Sequence, residues 1–273
     1  MNNIITLQAL ALKQHKDVGE MLRQQIENSA AYVLPFIAGV QPITSATKVL
    51  EIGCGEGGVL KPFFDMGCQC VGVDLDPARI PRAKEFYGEA EQQGKITFLL
   101  QNVYDESFVA KYKHHFDVII LKDVIEHIPN QQAFIGHLKN LLAPQGVVFF
   151  GFPPWWMPFG GHQQLCEGRL SKLPWYHVLP KGLYKRILKA GGESDGTIIC
   201  LEEIWDTKIL IEQLERYCKY NGFVVARKQW FLINPIYKYK FGLEPRKQFW
   251  LLGAIPYLRN IWTTCAYYVV RLG

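Results

Sequence analysis

The chain has 273 residues, which is enough for one large domain or for one domain with a substantial insertion. Its 49% apolar and 20% charged residues exclude a disordered chain and are typical of a globular protein with a full core. The formal net charge is +5, but residues 222–273 contain eight basic side chains and one acid, so this segment alone carries +7 and favours an anionic partner or a solvated face.

The cellular compartment of the protein can be inferred from its cysteines and from the lack of targeting segments. The seven cysteines are scattered and contain no Cys-x-x-Cys pair, which argues against a zinc ribbon or a disulfide scaffold. The N-terminus has no secretory signal, and no stretch reaches the roughly 18 apolar residues that a membrane-spanning helix needs. We therefore expect a cytoplasmic protein with free thiols.

Strands and helices alternate over the first half of the chain. Residues 4–34 have apolar side chains at three- and four-residue steps, which predicts a helix that Pro35 ends. The pattern then predicts the strands Lys48–Ile52, Gln69–Asp74, Ile96–Gln101, Phe116–Leu121 and Val147–Phe152. It predicts helices over Gly58–Gly67, Pro77–Gln93 and Asn130–Leu142, the last one capped by Asn130. This alternation favours a parallel sheet with helices on both faces.

The alternation stops at Pro153 and returns near residue 206. Residues 153–205 are rich in Pro, Trp and Gly, and only Lys181–Ala190 is predicted as a helix there. Because the carboxyl edge of a parallel sheet borders the ligand crevice, an insertion after the fifth strand predicts a lid or a substrate pocket. Beyond it, the pattern predicts a helix over Asp206–Tyr220 and strands over Phe223–Phe231 and Lys247–Leu252.

A glycine-rich loop, residues 53–58, follows the first strand and opens a helix. Gly53, Gly55 and Gly58 satisfy Gly-x-Gly-x-x-Gly, the dinucleotide pattern, and Asp74 at the end of the next strand can accept hydrogen bonds from a ribose diol. Gly53, Gly55 and Gly57 also satisfy Glu-x-Gly-x-Gly-x-Gly behind Glu51. The loop by itself therefore leaves an NAD(P)-binding oxidoreductase and a methyltransferase open.

Three later segments distinguish these alternatives. Residues 72–77 (GVDLDP), 116–128 (FDVIILKDVIEHI) and 141–148 (LLAPQGVV) follow the loop in the expected order. With the loop, they resemble the motifs of class I S-adenosylmethionine-dependent methyltransferases, in particular the ubiquinone-type O-methyltransferases and other small-molecule methyltransferases. The resemblance implies a Rossmann-like α/β fold with a seven-stranded, mostly parallel sheet, helices on both faces and an antiparallel last strand.

The resemblance also implies a domain division. The cofactor-binding domain would comprise residues 48–152 and 206–253, with the inserted lid at 153–205. Residues 1–47 would form an N-terminal helical segment and residues 254–273 a C-terminal aromatic and basic segment.

S-adenosylmethionine, which becomes S-adenosylhomocysteine, is the cofactor implied. The positions that match the family's cofactor site are Glu51, Gly53, Cys54, Gly55, Gly57, Asp74, Leu75, Asn102, Val103 and Lys122. The resemblance implies that Asp74 binds the ribose hydroxyls, that Leu75 packs on the adenine and that Glu51 supports the amino group. Asn102 stands where the family usually has an acid, and its carbonyl oxygen can accept from the adenine amine.

Two histidines, His127 after the fourth strand and His162 after the fifth, are the candidate catalytic residues. Methyl transfer is an in-line displacement that needs alignment, and it needs a base where the acceptor must lose a proton. His162 lies in a stretch with Trp155, Trp156 and Phe159, which together predict the acceptor-binding wall. The alternative is that the tryptophans are core or interface and that His162 makes a structural hydrogen bond.

No metal is required by this chemistry, but one cluster resembles a metal-binding element. Asp123, Glu126 and His127 resemble the acidic-acidic-His element of the ubiquinone-type enzymes, and on a helical turn they could hold a divalent cation. The alternative is that the carboxylates solvate a turn while His127 packs, and this alternative is favoured.

The function predicted is methyl transfer to a small-molecule acceptor, first of all to an oxygen, and the acceptor can be lipid- or saccharide-linked. The segment Trp250–Leu272 can lie at a membrane interface as a peripheral contact, or it can dock on the first helix or on a second subunit. Docking, on either partner, is favoured over the membrane contact. No nucleic acid is expected, because the Asn/Asp-Pro-Pro-aromatic motif of base methylases is missing. A nucleic-acid methyltransferase, suggested by the +7 segment, and a non-catalytic cofactor-binding protein remain alternatives.

Overall fold

An eight-stranded sheet forms the centre of the computed structural model, which describes residues 18–273. Its strands are β1 (Lys48–Ile52), β2 (Gln69–Asp74), β3 (Ile96–Leu100), β4 (Phe116–Lys122), β5 (Leu142–Phe152), β6 (Phe223–Ile233), β7 (Arg246–Lys247) and β8 (Cys265–Leu272). The strand order is β3-β2-β1-β4-β5-β8-β6-β7. β1 to β5 pair in parallel, whereas β8 runs antiparallel between β5 and β6. The predicted Rossmann-like fold is confirmed, with eight strands rather than seven.

Helices surround this sheet. They are α1 (Val18–Asn28), α2 (Leu34–Ala38), α3 (Lys61–Asp65), α4 (Arg79–Tyr87), α5 (Glu89–Gln92), α6 (Glu106–Lys111), α7 (Gln131–His137), α8 (Lys181–Ala190), α9 (Asp195–Thr207), α10 (Ile211–Tyr220), α11 (Ile236–Phe241), α12 (Trp250–Gly253) and α13 (Leu258–Trp262). Two core layers result, because successive side chains of a strand point to opposite faces. On β4, Ile119 belongs to one layer, whereas Val118 and Ile120 belong to the other.

The N-terminal helix continues past the proline that was predicted to end it. A π-helical turn, Ser29–Val33, joins α1 to α2, and Pro35 lies in the first turn of α2. A proline is tolerated there because the first backbone N–H groups of a helix have no intrahelical acceptor. The predicted residues 4–17 of this helix lie outside the described residues.

Two other predicted helices are shorter in the structure. Gly88, with φ of +46°, interrupts Pro77–Gln93 and separates α4 from α5. The helix predicted over Gly58–Gly67 is reduced to α3. The predicted cap of α7 is confirmed, because the Asn130 side chain accepts a hydrogen bond from the Ala133 N–H at 3.4 Å.

The predictions for the last seventy residues need the largest correction. The helix predicted over Asp206–Tyr220 is wrong at its start, since α9 ends at Thr207 and α10 begins at Ile211. The strand predicted over Lys247–Leu252 is also wrong: only Arg246–Lys247 pairs with β6, and a helical turn follows. The true last strand is β8, which pairs with β5 and β6. Its side chains from Cys265 to Val270 are buried because they alternate between the two core layers. Residues 265–272 of the segment 254–273 are therefore part of the sheet.

The insertion over residues 153–205 has a core of its own. Trp155 and Cys166 pack there with the buried side chains of α8 and α9, including Tyr184, Leu188 and Leu201. Since α9 begins at Asp195, the insertion has two helices rather than the single predicted one. A self-contained core allows this segment to keep its shape above the carboxyl edge of the sheet.

Gly57 provides a test of how tightly the glycine loop is packed. Its φ is +82°, and a Cβ added there would lie 2.7 Å from Cζ of Phe98. We expect Gly57→Ala to lower the free energy of unfolding by about 3 kcal/mol, from backbone strain and overpacking together. Gly94→Ala is the matched control, because Gly94 has φ of +67° with nothing within 4 Å, so only strain of about 1 kcal/mol is expected. If urea unfolding showed the same loss of free energy of unfolding in both variants, the contact with Phe98 would contribute nothing to the effect of Gly57→Ala.

Candidate active site

The glycine loop lies where β1 ends, and its backbone is tied to the next strand. Gly53 and Cys54 both donate their N–H groups to the Val73 carbonyl, at 2.8 and 3.0 Å. The Gly55 N–H donates to Oδ2 of Asp74 at 2.8 Å. Gly53 and Gly55 have positive φ, which glycine adopts without strain. The loop and Asp74 are therefore held together as one surface.

The N-terminal helical segment covers this loop. Ser29 donates its hydroxyl to the Val59 carbonyl at 2.7 Å, and a Cβ at Gly58 would lie 2.7 Å from the Gln25 side chain. The Tyr87 hydroxyl donates to the Gly57 carbonyl at 2.7 Å from the other side. Contacts from two helices fix the conformation of the loop.

Glu51 and Cys54 are buried beneath the loop. No hydrogen-bond partner for Oε2 of Glu51 is found among the described residues. Burial, and then the nearby Asp74 carboxylate, raise the pKa of Glu51 well above its ordinary value. Burial and Glu51 likewise raise the pKa of the Cys54 thiol, so this cysteine is a neutral packing group and not a nucleophile. Glu51 is a buried acceptor that a cationic ligand would satisfy.

The remaining sequence-predicted cofactor positions follow β2 and β3. Leu75 is 42% exposed, which leaves its apolar surface available at the rim. Val103 is buried, and Asn102 is exposed with its Oδ1 accepting from the Tyr104 N–H at 3.0 Å. Nε2 of His137 lies 2.8 Å from the Val103 carbonyl. The exposed Asn102 side chain thus stabilises its own turn.

Lys122 and Asp123 end the fourth strand as an ion pair. Nζ of Lys122 contacts Oδ2 of Asp123, and the lysine side chain is 5% exposed while that of Asp123 is 50% exposed. Asp123 has φ of +57°, and its N–H donates to the Gly151 carbonyl at 2.7 Å. The left-handed backbone at Asp123 turns the chain into the segment that carries the next candidate residues.

His127 and His162 face each other, although 34 residues separate them in the sequence. Their ring centroids are 4.9 Å apart, with an angle of 84° between the rings. Ligand atoms of Glu126, His127 and His162 all lie within 4.8 Å of one another. Asp123 is outside this group because its carboxylate pairs with Lys122, so the predicted trio Asp123, Glu126 and His127 is not the one that the structure assembles.

The polar atoms of this cluster are largely unpaired. Three buried atoms have no hydrogen-bond partner within residues 18–273: both carboxylate oxygens of Glu126, and Nε2 of His162. Buried polar atoms in folded proteins nearly always have a partner, which for an unliganded site points to a bound molecule or ion. The cluster is adjacent to the glycine loop, because Val124 lies where a Cβ of Gly53 would be, 2.5 Å away.

Burial also sets the protonation of the cluster. Burial and then His162 lower the pKa of His127 to about 3, and burial lowers the pKa of His162. Burial and then Asp123 raise the pKa of Glu126 well above its ordinary value. Both imidazoles are therefore neutral at pH 7, and each has a nitrogen lone pair that can accept a proton or bind a cation.

The low pKa of His127 predicts how stability depends on pH. Between its ordinary value of 6.5 and about 3, the unfolded chain binds a proton at His127 that the folded chain does not bind. The free energy of unfolding therefore decreases as the pH falls through this range, by up to about 1.4 kcal/mol per pH unit from this residue. We expect His127→Asn to show a shallower decrease in urea unfolding between these pH values. An unchanged slope would contradict the burial of a neutral His127.

The predicted acceptor wall separates into two parts. Trp155 is buried in the core of the insertion, where its ring meets that of His177 edge-on at 4.6 Å. Trp156 and Phe159 are only half-buried, so part of each ring is accessible. Trp156 also lies 6.2 Å from the Tyr257 ring, measured between centroids.

His177 is a structural residue that no sequence motif singles out. Nε2 of His177 lies 2.6 Å from the Trp155 carbonyl, and Nδ1 lies 2.5 Å from Nε2 of Gln163. Gln163 also donates to the Pro158 carbonyl at 3.2 Å. These bonds hold the segment that carries His162, which has φ of +56°. The signal in the sequence was a histidine beside aromatic residues, which is not specific enough to identify such a support.

Sequence relatives of the chain are methyltransferases. It is 24% identical over 193 residues to the ubiquinone biosynthesis O-methyltransferase of Rhodopseudomonas palustris (strain BisB5), an alignment that covers 70% of this chain and 64% of that protein. It is 30% identical over 161 residues to the protein of the same name from Cereibacter sphaeroides (strain ATCC 17029 / ATH 2.4.9), covering 53% and 59%. The chain thus matches less than two thirds of the length of either curated relative.

Solved structures share the fold. Phosphoethanolamine N-methyltransferase 2 of Haemonchus contortus, in complex with phosphomonomethylethanolamine and S-adenosylhomocysteine, aligns with a TM-score of 0.55 at 16% identity, covering 96% of this chain and 59% of that one. Geranyl diphosphate C-methyltransferase of Streptomyces coelicolor A3(2) aligns with a TM-score of 0.54 at 12% identity, covering 88% and 78%. At these identities the likeness establishes the fold alone.

A family profile described as "Methyltransferase domain" matches residues 19–165, which are 147 of the 273 residues. The matched region contains the glycine loop, Asp74, and both His127 and His162. Because this match covers more than half of the chain, and the fold and motifs agree with it, the chain belongs to the family of class I S-adenosylmethionine-dependent methyltransferases.

Proposed function

We propose that the chain transfers the methyl group of S-adenosylmethionine to an oxygen atom of a small-molecule acceptor. The observation that carries this proposal is the pair of neutral imidazoles, His127 and His162, which face each other next to the glycine loop. A hydroxyl group is a poor nucleophile unless a base removes its proton during the reaction. A neutral histidine beside the cofactor loop supplies such a base.

The residues around the glycine loop fit the cofactor. Each oxygen of the Asp74 carboxylate already accepts one backbone N–H, from Gly55 and from Asp76, and a second lone pair on each remains for the ribose hydroxyls. The unpaired Oε2 of Glu51 suits the cationic amino group, and the exposed Leu75 suits the adenine face. When bound, S-adenosylmethionine supplies an electrophilic methyl group on its sulfonium.

His162 is the residue we assign as the base. Its Nε2 is buried and has no partner among the described residues, so it can accept the proton of an acceptor hydroxyl. The network of His177 and Gln163 supports the segment that carries it, which limits the motion of the ring. His127 packs edge-on against His162 and keeps it in place. Alignment of this kind accounts for a large part of the rate in displacement reactions.

A second candidate role for the cluster is to bind a divalent cation. Glu126, His127 and His162 offer three ligand atoms within 4.8 Å of one another, and both Glu126 oxygens are unpaired in the described chain. A cation there would hold the acceptor oxygen and lower the pKa of its hydroxyl. Activity that is lost in EDTA and restored by Mg²⁺ or Zn²⁺ would favour this role, whereas activity unaffected by EDTA would favour the metal-free base.

The acceptor class follows from the wall and from the relatives. Trp156 and Phe159 are half-buried side chains of the insertion, and their rings suit an apolar or aromatic acceptor. The sequence relatives carry the name ubiquinone biosynthesis O-methyltransferase, so phenols and catechols with apolar tails are the first acceptors to test.

All seven cysteines are free thiols, which supports a cytoplasmic location.

Transfer of labelled methyl groups from S-adenosylmethionine tests the proposal. Phenols and catechols, with and without an apolar tail, are compared with carboxylic acids, amines and RNA as acceptors. We expect label only on hydroxyl oxygens, with a lower KM for the tailed acceptors because of the aromatic wall. Label on RNA or on nitrogen would refute the oxygen acceptor, and a thermal shift with NADH in place of S-adenosylhomocysteine would refute the cofactor.

A further inference from the structure

The chain from Leu243 to Tyr257 exposes large apolar side chains close to one another in the sequence. The apolar platform comprises Leu243, Phe249, Trp250, Leu251, Ile255 and Tyr257. Trp250 is 79% exposed, Leu251 61% and Phe249 60%. Single exposed apolar residues are ordinary, but six within fifteen positions are not, and contiguous apolar surfaces of this kind mark interaction sites.

Basic side chains flank the apolar platform. Arg246 and Lys247 form the exposed edge strand β7. In the part of the chain that the structure describes, no acidic side chain forms an ion pair with either of them. The one acid from residue 240 to 262, Glu244, is paired with Lys238. The charge at this surface is therefore positive and unneutralised.

The platform adjoins the insertion that covers the candidate active site. The Tyr257 ring lies 6.2 Å from that of Trp156, and Trp175 lies 6.3 Å from Trp262, between centroids in both pairs. The Trp175 indole also donates to the Trp156 carbonyl at 3.1 Å. A surface bound at the platform would thus lie next to the insertion.

We infer that the apolar platform docks on the surface of an anionic lipid bilayer. Tryptophan, phenylalanine and leucine enter the boundary between headgroups and acyl chains, while adjacent lysine and arginine pair with anionic headgroups. The combination of large apolar tips with unneutralised cations meets both requirements. No helix in residues 18–273 is long and apolar enough to cross a membrane, so the contact inferred is peripheral. It does not depend on the identity of the methyl acceptor.

Co-sedimentation of the whole chain with vesicles tests the inference. Vesicles of phosphatidylcholine alone are compared with vesicles that also contain phosphatidylglycerol, at low and at high salt. We expect binding to the anionic vesicles that weakens with salt. In the double variant Phe249→Ser and Trp250→Ser, binding should be about tenfold weaker, and in Arg246→Gln with Lys247→Gln about tenfold weaker at low salt only.

Tyr220→Ser is the matched control, because Tyr220 is 73% exposed at the end of α10, outside the platform, and its loss should leave binding unchanged. The thermal shift with S-adenosylhomocysteine verifies that each variant is folded. No binding of the wild-type chain to anionic vesicles would overturn the inference, as would equal binding by the Phe249 and Trp250 variant. The wild-type chain could instead form concentration-dependent dimers without binding vesicles, and the Phe249 and Trp250 variant could abolish these dimers. That result would assign the platform to self-association and would also overturn the inference.

Discussion

His162→Asn is expected to lower kcat of methyl transfer to a hydroxyl acceptor by about 10² to 10⁴-fold, the usual contribution of a general base. The reason is that Nε2 of His162 is the buried, unpaired nitrogen beside the glycine-loop site. Asparagine tolerates the left-handed backbone at this position, where φ is +56°, so the substitution removes the proposed base with little added strain. Initial rates at saturating cofactor and acceptor measure the effect.

His114→Asn is the matched control for this substitution. His114 is also in the left-handed region, with φ of +50°, but it is exposed and bonds to the Leu142 carbonyl away from the cluster. We expect its kcat to be that of the wild type. Binding of S-adenosylhomocysteine should be the same in both variants, since neither histidine is assigned to the cofactor. A kcat for His162→Asn within about twofold of wild type would show that no proton passes through this residue.

Asp74→Ala is expected to weaken S-adenosylhomocysteine binding by about 10²-fold or more, because two hydrogen bonds to a charged carboxylate are lost. Asp74 also accepts the N–H groups of Gly55 and Asp76, so the alanine variant loosens the loop as well as removing the proposed ribose ligand. Isothermal titration calorimetry measures the affinity directly. In a thermal shift, a ligand at a hundred times its Kd stabilises the wild type by about 2.7 kcal/mol, and this gain should disappear.

Two further variants separate these effects. Asp74→Asn keeps one side-chain acceptor and should bind with intermediate affinity. Asp65→Ala is the control, because Asp65 is an exposed acid on α3 whose partner is Lys61, and its affinity for S-adenosylhomocysteine should be unchanged. If Asp74→Ala bound S-adenosylhomocysteine with the affinity of the wild type, the ribose would not lie at Asp74. The assignment of the glycine loop as the cofactor site would then be wrong.

The first half of the fold could be predicted from the sequence, because its information is local. The apolar run Phe116–Leu121 and the alternating Gln69–Asp74 each indicate a strand over a few residues, and the helices between them require parallel pairing. The glycine loop is equally local: positive φ at Gly53 and Gly55 is a property that glycine brings to those positions.

The end of the sheet was decided by tertiary contacts. Cys265–Leu272 is an apolar and aromatic run that suits a docking helix, a membrane-facing segment or a strand equally well. It becomes a strand because β5 and β6 leave a gap between them whose backbone groups need partners on both sides. Pairing over more than a hundred residues of sequence is not visible in a local pattern.

The fold class, the family resemblance and the glycine loop could be predicted from local sequence patterns. Which side chains meet in the cluster of Glu126, His127 and His162 depends on the tertiary structure. His162 lies beside Glu126 and His127, in a segment that the hydrogen bonds of His177 and Gln163 support. Asp123 is not part of this group, because it has a left-handed backbone and its carboxylate pairs with Lys122. The physical reason is that burial and ion pairing depend on what surrounds a side chain, which spacing along the chain does not specify.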